Sequence, residues 1–211
     1  MKHRAILLLG TVLLLVAGGS VAGWRWWHNR PSFGPEALAA QATLQLVDQA
    51  TADVALAPGN AIFGEEDDQI FLGRVAWTPP ARSKVDSTLR IVILDKRSHL
   101  TPGWIAVKSD RQDEVGSGWD GSLDAAAERY SWLHDFDTRQ LDGSYGGAST
   151  FITSSLDASP VTFQTVLRPA RPGTPPGSAI ATAPAAVGDL MIVLISVGPD
   201  GEVHWAHRQL N

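Results

Sequence analysis

The first 23 residues constrain this chain more than any other part of it. Between Ala5 and Gly23 there is no charged side chain, and most of the run is leucine, valine and alanine. As a helix, a stretch of this length spans roughly 28 Å, close to the hydrocarbon core of a bilayer at about 30 Å. We therefore predict a transmembrane signal-anchor helix over residues 5–23.

The flanks of this segment bear on whether it is retained. An amphipathic, basic tetrapeptide follows the apolar run directly, as in the interfacial aromatic belt of a retained helix: Trp24, Arg25, Trp26 and Trp27. The small residues 20–22, together with Lys2 and Arg4 ahead of the apolar run, are instead typical of a cleavable signal peptide. We predict retention, with secretion after cleavage as the alternative.

Charge around the segment predicts its orientation. Lys2, Arg4 and the free amino terminus place residues 1–4 in the cytoplasm by the positive-inside rule. Residues 24–34 then form a juxtamembrane tether, and residues 35–211 form an extracytoplasmic domain, periplasmic or extracellular. This arrangement is typical of a protein of a bacterial-type cell envelope.

Beyond residue 30 the chain is acidic, with 22 Asp and Glu against 13 Lys and Arg. Nucleic acid is disfavoured as a partner, because its binding relies on basic side chains that displace counterions from phosphates. A basic protein or a cation is the complementary partner. Cysteine is absent from the sequence, which removes disulfides, thiolate nucleophiles and cysteine-based zinc sites together.

The residues after the tether show a helical pattern. Pro35 suits the first turn of a helix. Leu38, Ala42 and Leu46 then recur every four residues and predict a helix that ends near residues 57–59.

Further along, apolar residues alternate with period two, which predicts half-buried strands. The inward residues of three such runs are Phe71, Gly73, Val75 and Trp77, then Leu89, Ile91 and Ile93, then Val161, Phe163, Thr165 and Leu167. Residues 190–195 are apolar throughout and predict a central strand. Residues 198–201 predict a turn into a last strand at 203–205.

Two other segments complete the predicted domain. Ser122 is positioned to cap a short helix, and the Pro-, Ala- and Gly-rich residues 169–187 predict a long exposed loop. The whole predicts one α+β domain, with a mostly antiparallel β-sheet and one or two packing helices.

Few residues suggest catalysis. The candidate catalytic residues are His134, Asp135 and Asp137, the densest set of side chains with acid–base capacity. Residues 116–121 match the letters of G-x-G-x-x-G, but the surrounding acids and the lack of a directly preceding strand argue against a phosphate site. The acidic runs lack the ligand spacing of a calcium loop, so we predict no metal and no cofactor.

Histidine and tryptophan residues give further candidates. His204 and His207 point to opposite faces of a strand, which excludes chelation of one ion, and His207 is predicted to pack on the face of Trp205. Trp104 and Trp119 are the predicted binding residues, with Trp119 exposed in a Gly- and Asp-rich loop.

Location and charge, together with the weakness of the catalytic candidates, predict a non-enzymatic membrane protein whose outer domain binds another protein. It would serve as an accessory subunit of an envelope machine or as an immunity-type protein that neutralises a toxin. One alternative is a glycan- or cell-wall-binding domain that uses exposed Trp side chains. A second alternative is an envelope hydrolase that works through His134.

Overall fold

A computed structural model describes residues 19–21, 23–24, 33–56, 61–80, 87–101, 104–111, 115–136, 148–153, 156–169 and 182–210. The chain forms two units, Met1–Ser32 and Phe33–Asn211. In the first unit residues 19–21 and 23–24 are helical, and Trp24 is exposed. Among the described residues, no helix has both the length and the apolarity that crossing a bilayer requires. Except for 19–21 and 23, the predicted span at 5–23 lies outside the described residues, as do Arg25, Trp26 and Trp27.

The second unit is built mainly from antiparallel strands, as the sequence predicts. They are β1 (Gln41–Val47), β2 (Gln69–Ala76), β3 (Thr88–Asp95), β4 (Trp104–Ser109), β5 (Val115–Asp120), β6 (Ala148–Thr153), β7 (Val161–Pro169), β8 (Thr182–Ala183), β9 (Leu190–Val197) and β10 (Val203–Leu210). The helices are α1 (Gln49–Leu56) and α2 (Ser122–Arg129), with 3-10 helices at Pro35–Leu38, Ser131–Phe136, Leu156–Ala158 and Val187–Asp189.

These strands form two sheets rather than the one that the sequence predicts. The first sheet has the order β1-β2-β7-β4, and β8 pairs in parallel with the end of β7. The second sheet has the order β10-β9-β3-β6-β5. Their inner faces share one apolar core, to which β2 contributes Val75, β7 contributes Phe163 and β9 contributes Leu194. The unit is therefore a sandwich.

Close packing inside this core explains a glycine on β2. A Cβ atom placed on Gly73 would overlap the Phe163 ring and lie 2.6 Å from its Cε1 atom, a contact that no side chain tolerates. The Phe163 ring therefore lies directly over the backbone of β2, and glycine is required at that point of the strand.

Each sheet also carries a helix on its outer face. On the first sheet, Ala52 of α1 packs against Ile70 and Val166. On the second sheet, Leu123 and Ala126 of α2 join a buried cluster that includes apolar residues of β3, β9 and β10. The order of layers is α1, first sheet, second sheet, α2. The prediction of a mostly antiparallel β-sheet domain with a few helices is confirmed.

The alternating and apolar segments fold as expected. Strands β2, β3 and β7 bury the predicted inward residues, and β9 lies between β10 and β3 with all of its residues buried. The turn at 198–201 leads from β9 into β10, and Gly198 N–H donates to the carbonyl of Glu202. Helix α2 begins at Ser122, and Gly121 rather than Ser122 occupies the cap position.

The helix predicted from Pro35 to residues 57–59 is wrong over its first part, and only its end is an α-helix, α1. A 3-10 helix ends at Leu38, Ala39 takes a left-handed conformation with φ of 45°, and β1 follows. Residues 42, 44 and 46 are also spaced for a strand, and seven registered pairs with β2 favour the extended form. Pairing within the sheet outweighs the helix propensity of alanine and glutamine.

The stretch predicted as a loop at 169–187 is ordered at both of its ends. Pro169 closes β7, Thr182 and Ala183 form β8, and residues 170–181 lie outside the described part. Ala185 is buried, and the amide side chain of Gln69 bonds both its N–H and its carbonyl. This stretch is therefore not exposed throughout.

Candidate functional site

The predicted acid–base residues lie on the surface. His134 and Asp135 are exposed in the 3-10 helix Ser131–Phe136, and Asp137 lies outside the described residues. The Asp135 carboxylate lies 4.0 Å from Nδ1 of His99, and the His99 ring stacks on Phe136 at a centroid distance of 5.3 Å. A general base needs a substrate site beside it, and an exposed helical turn gives these side chains no enclosing walls.

The two tryptophans predicted to bind ligand lie in strands. Trp104 is the first residue of β4, and Trp119 lies in β5, which pairs along its length with β6. The prediction that Trp119 lies in a loop is wrong, because the glycine-rich residues 115–120 are extended and hydrogen-bonded as an edge strand. The side chains of Trp104 and Trp119 lie outside what the structure describes, so glycan binding through them stays a prediction.

A buried serine–histidine pair lies where β10 begins. The register of β10 against β9 shifts between Val203 and Trp205, so His204 is an extra residue in the strand. The Oγ atom of Ser87 lies 3.5 Å from His204 Nδ1, and both residues are buried. A Cβ on Gly198 would lie 2.6 Å from His204 Nε2, so glycine is needed there for the ring to fit.

The surroundings of His204 favour its neutral form. Burial lowers the pKa of His204 and Arg129 lowers it further, while Asp200 and Glu202 oppose this. Its Nε2 atom is buried without a hydrogen-bond partner in the described part of the chain. With both Ser87 and His204 closed off from solvent, this pair is better suited to respond to protonation than to attack a substrate. His207 is exposed, so its predicted packing beside Trp205 is wrong: the edge strand leaves it open to solvent.

A second feature is an acidic and apolar surface on the opposite sheet, formed by β1, α1 and residues 61–68, which we call the β1–α1 surface. The exposed large apolar side chains described in the second unit all belong to it: Leu46 at 54% exposure, Val54 at 84% and Phe63 at 74%. Two lie on regular elements, and the third lies in the loop that follows α1. Val54 and Phe63 belong to α1 and the loop on the outer side of the first sheet, whereas Leu46 lies on the inner face of β1. Exposed apolar side chains that a partner can cover are candidates for an interaction site.

Glutamine side chains fix the loop of this surface. The amide of Gln164, fully buried on β7, accepts from Ile62 N–H at 2.7 Å and donates to Ile62 carbonyl at 2.8 Å. Gln49 in the first turn of α1 accepts from Gly64 N–H and donates to the Ile62 carbonyl. Phe63 is thus held between two residues with bonded backbones, and its exposure is built into the fold.

The charged residues of β1, α1, Asp48 and residues 61–68 are all acidic, and basic side chains of neighbouring strands lie beside them: Arg74, Lys108 and Arg168. Between residues 31 and 73 the sequence has seven acidic residues and no Lys or Arg, although this stretch holds under a quarter of the chain. Asp48 accepts from Thr51 N–H at the start of α1, and its hydrogen bonds with Thr51 lower its pKa. Arg168 on β7 approaches Glu65 at 3.7 Å and the enclosed carboxylate of Asp68 at 3.3 Å. The two residues between these acids, 66 and 67, are exposed and also acidic.

The turn after β3 contains a further buried charge, and its role is structural. Burial would raise the pKa of Asp95, but hydrogen bonds from the Arg97 guanidinium and backbone lower it overall. Arg97 also donates to the Pro184 carbonyl and lies 3.8 Å from Asp189. These bonds fasten the turn to residues 184–189.

Comparison with known proteins gives no further information, since no protein family, curated protein or solved structure is detectably similar to this chain. Within the described residues, no group of three His, Asp or Glu side chains is placed to hold a metal ion.

Sequence reasoning missed both the buried Ser87–His204 pair and the β1–α1 surface. The missing Lys and Arg between Arg30 and Arg74 would have located the acidic surface. The Ser87–His204 contact and the Gln164 bonds to Ile62 join residues 117 and 102 positions apart in the chain, so no local pattern signals them.

Proposed function

We propose that this chain is a single-pass, membrane-anchored, non-enzymatic protein-binding module of a bacterial-type cell envelope, an accessory subunit or an immunity-type protein. Its outer domain binds a basic partner through the β1–α1 surface. The observation that supports this proposal is the coincidence of two properties in one segment. Leu46, Val54 and Phe63 are exposed within the stretch that has seven acids and no Lys or Arg.

These two properties serve different steps of binding. Exposed apolar side chains gain free energy when a partner removes them from water, at roughly 25 cal/mol per Å² buried. Acidic residues at the rim attract a basic partner over longer distances and raise the association rate. The bonds from Gln49 and Gln164 order the loop in advance, which lowers the entropy lost on binding.

Partner capture tests the proposal. The full-length protein is purified from detergent-solubilised membranes, and co-purifying proteins are identified by mass spectrometry and quantified. The double variant Val54→Ser, Phe63→Ser removes apolar surface without changing charge. His207→Ser is the matched control, because His207 is exposed on β10, outside this surface.

We expect a basic protein in stoichiometric amount with wild type and with His207→Ser, and at least a tenfold loss with the double variant. Absence of any stoichiometric partner, or equal recovery by all three proteins, overturns the proposal.

Anchoring is tested separately by cell fractionation. A membrane-bound species of full length supports the signal-anchor at 5–23. A soluble species shorter by about twenty-two residues indicates a cleaved signal peptide instead.

A further inference from the structure

A partner that binds the β1–α1 surface, as the proposed function requires, meets an exposed sheet edge there. β1 is an edge strand: it pairs with β2 on one side, and in the described part of the chain no strand pairs with its other side. An edge strand presents unpaired backbone N–H and carbonyl groups, which can bond a further strand.

β1 lacks the features that normally prevent such pairing. Its sequence Gln-Ala-Thr-Leu-Gln-Leu-Val contains no charge and no proline, and its register with β2 runs through seven pairs without a shift. The other sheet edges differ. β4 contains Lys108, β5 contains Asp120, and β10 has two register shifts and carries Arg208. Charge, proline and bulges are the means by which proteins block edges.

The two faces of β1 specify what an added strand would look like. Ala42 and Leu44 pack against the sandwich core on the inner face, and Leu46 follows on the same face with 54% exposure. Thr43 and Gln45 alternate with them on the outer face, the face against which α1 packs. A strand added to β1 would therefore need apolar residues on one face and polar residues on the other.

Charge selects among the possible occupants. Asp48 directly follows β1 and Asp53 lies on α1, whereas the exposed Arg74 of β2 pairs with Thr43, nearer the start of the strand. A second copy of β1 has no basic residue in the strand to pair with these acids, and in parallel pairing its own acids would lie close to them and be repelled. A strand with basic residues on its polar face near Asp48 would be attracted.

We propose that the partner contributes an extended segment of alternating apolar and basic residues, which adds to the first sheet as a strand next to β1. Backbone hydrogen bonds supply affinity in this mode, and the side-chain alternation supplies specificity. The added strand covers Leu46 and continues the sheet beyond its present edge.

The test uses the full-length protein in zwitterionic detergent and a synthetic heptapeptide alternating valine and lysine. The control peptide has the same sequence with N-methyl groups on alternate residues, which keep the charge but remove the hydrogen bonds along one edge. Calorimetry measures affinity, and hydrogen exchange measures protection of the backbone amides of residues 41–47.

We expect the N-methylated peptide to bind at least tenfold more weakly, and the unmodified peptide to protect β1 amides. Gln45→Lys should weaken binding at least tenfold, because like charges would oppose each other across the strands. Ala50→Lys adds the same positive charge at an exposed position of α1 and should weaken binding no more than about threefold, since solvent screens its effect.

Equal affinity for both peptides, protection outside residues 41–47, or no binding of the unmodified peptide overturns strand addition. If the protein forms dimers in which the β1 amides are protected without peptide, the occupant is a second copy of this chain and the proposal of a basic partner is overturned. Partner capture by the full-length protein decides the proposed function independently, so strand addition can fail while protein binding stands.

Discussion

The edge strands β1 and β10 show two different ways of ending a sheet. β1 pairs with its neighbour without interruption and carries no charge. β10 has register shifts at both of its ends, exposes His207, and places the Arg208 guanidinium 4.3 Å from the centroid of the Trp132 ring. β10 is fastened into its own domain and is unsuited to pairing, whereas β1 remains a template for another strand. The difference separates a strand that stabilises the fold from one that can bind a partner.

The largest expected effect is on the stabilising strand. Trp205→Ala removes a buried indole that packs edge-on against Phe33 and donates to its carbonyl at 3.1 Å. We expect the free energy of unfolding to fall by about 3–5 kcal/mol, as for other buried Trp→Ala changes. Urea denaturation of the full-length protein, followed by far-ultraviolet circular dichroism, measures this loss. A loss below about 1 kcal/mol would contradict a stabilising role for β10.

A smaller effect is expected at Gln164, which supports the loop beside β1. Gln164→Ala leaves the N–H and carbonyl of Ile62 without these bonds, and we expect a loss of about 2 kcal/mol. Gln45→Ala, an exposed glutamine on β1, is the control and should cost less than about 0.5 kcal/mol. Equal losses in denaturation would show that Gln164 does not organise the loop.

Lowering the pH should reduce the free energy of unfolding through His204, which lies on β10. Its pKa is lowered by burial in the folded state, whereas the unfolded chain protonates near the ordinary value of 6.5. The unfolded state therefore binds more protons, and stability is complete above about pH 6.5 and falls as the pH drops toward the folded pKa. The slope should reach at most about 1.4 kcal/mol per pH unit.

This pH dependence is measured as the difference between wild type and His204→Gln in denaturation midpoints between about pH 7.5 and about pH 5, which bracket the ordinary histidine pKa. A His204→Gln variant that retains the full wild-type slope would assign the dependence to other groups.

The smallest effect on stability is expected on β1. Leu46→Ser changes a side chain that is more than half exposed, so the free energy of unfolding should change by less than about 0.5 kcal/mol. Partner recovery in the capture experiment should nevertheless fall severalfold, because the apolar contact is lost. A variant that is strongly destabilised, or that binds as wild type does, would remove the contrast between β1 and β10.

The sequence predicts the interior strands of this fold better than its edges. β2, β3, β7 and β9 lie in the interior of their sheets and are buried there. Their sequences therefore carry alternating or continuous apolar residues, a pattern that is visible locally. The prediction for β1 is wrong because the spacing of Ala42 and Leu46 fits a helix as well as a strand, and the deciding contact is with β2, a separate segment further along the chain. β5 escapes prediction because its glycines lack an apolar pattern.

Of the β1–α1 surface, only the acidic charge could be predicted from the sequence. The run without Lys or Arg is countable from the sequence, but the exposure of Phe63 depends on the bonds that Gln164 makes to Ile62, 102 residues earlier in the chain. Whether an apolar residue is exposed depends on which other segments cover it, and this is known only from the assembled fold.

The contact between Phe33 and Trp205 also has a mechanical consequence. Phe33 is the first residue of the second unit, and it is tied by the Trp205 indole to the last strand of the fold. Tension on the chain ahead of Phe33 is therefore shared with β10 before it reaches β1. The strand that we propose for partner binding therefore receives only part of such a load.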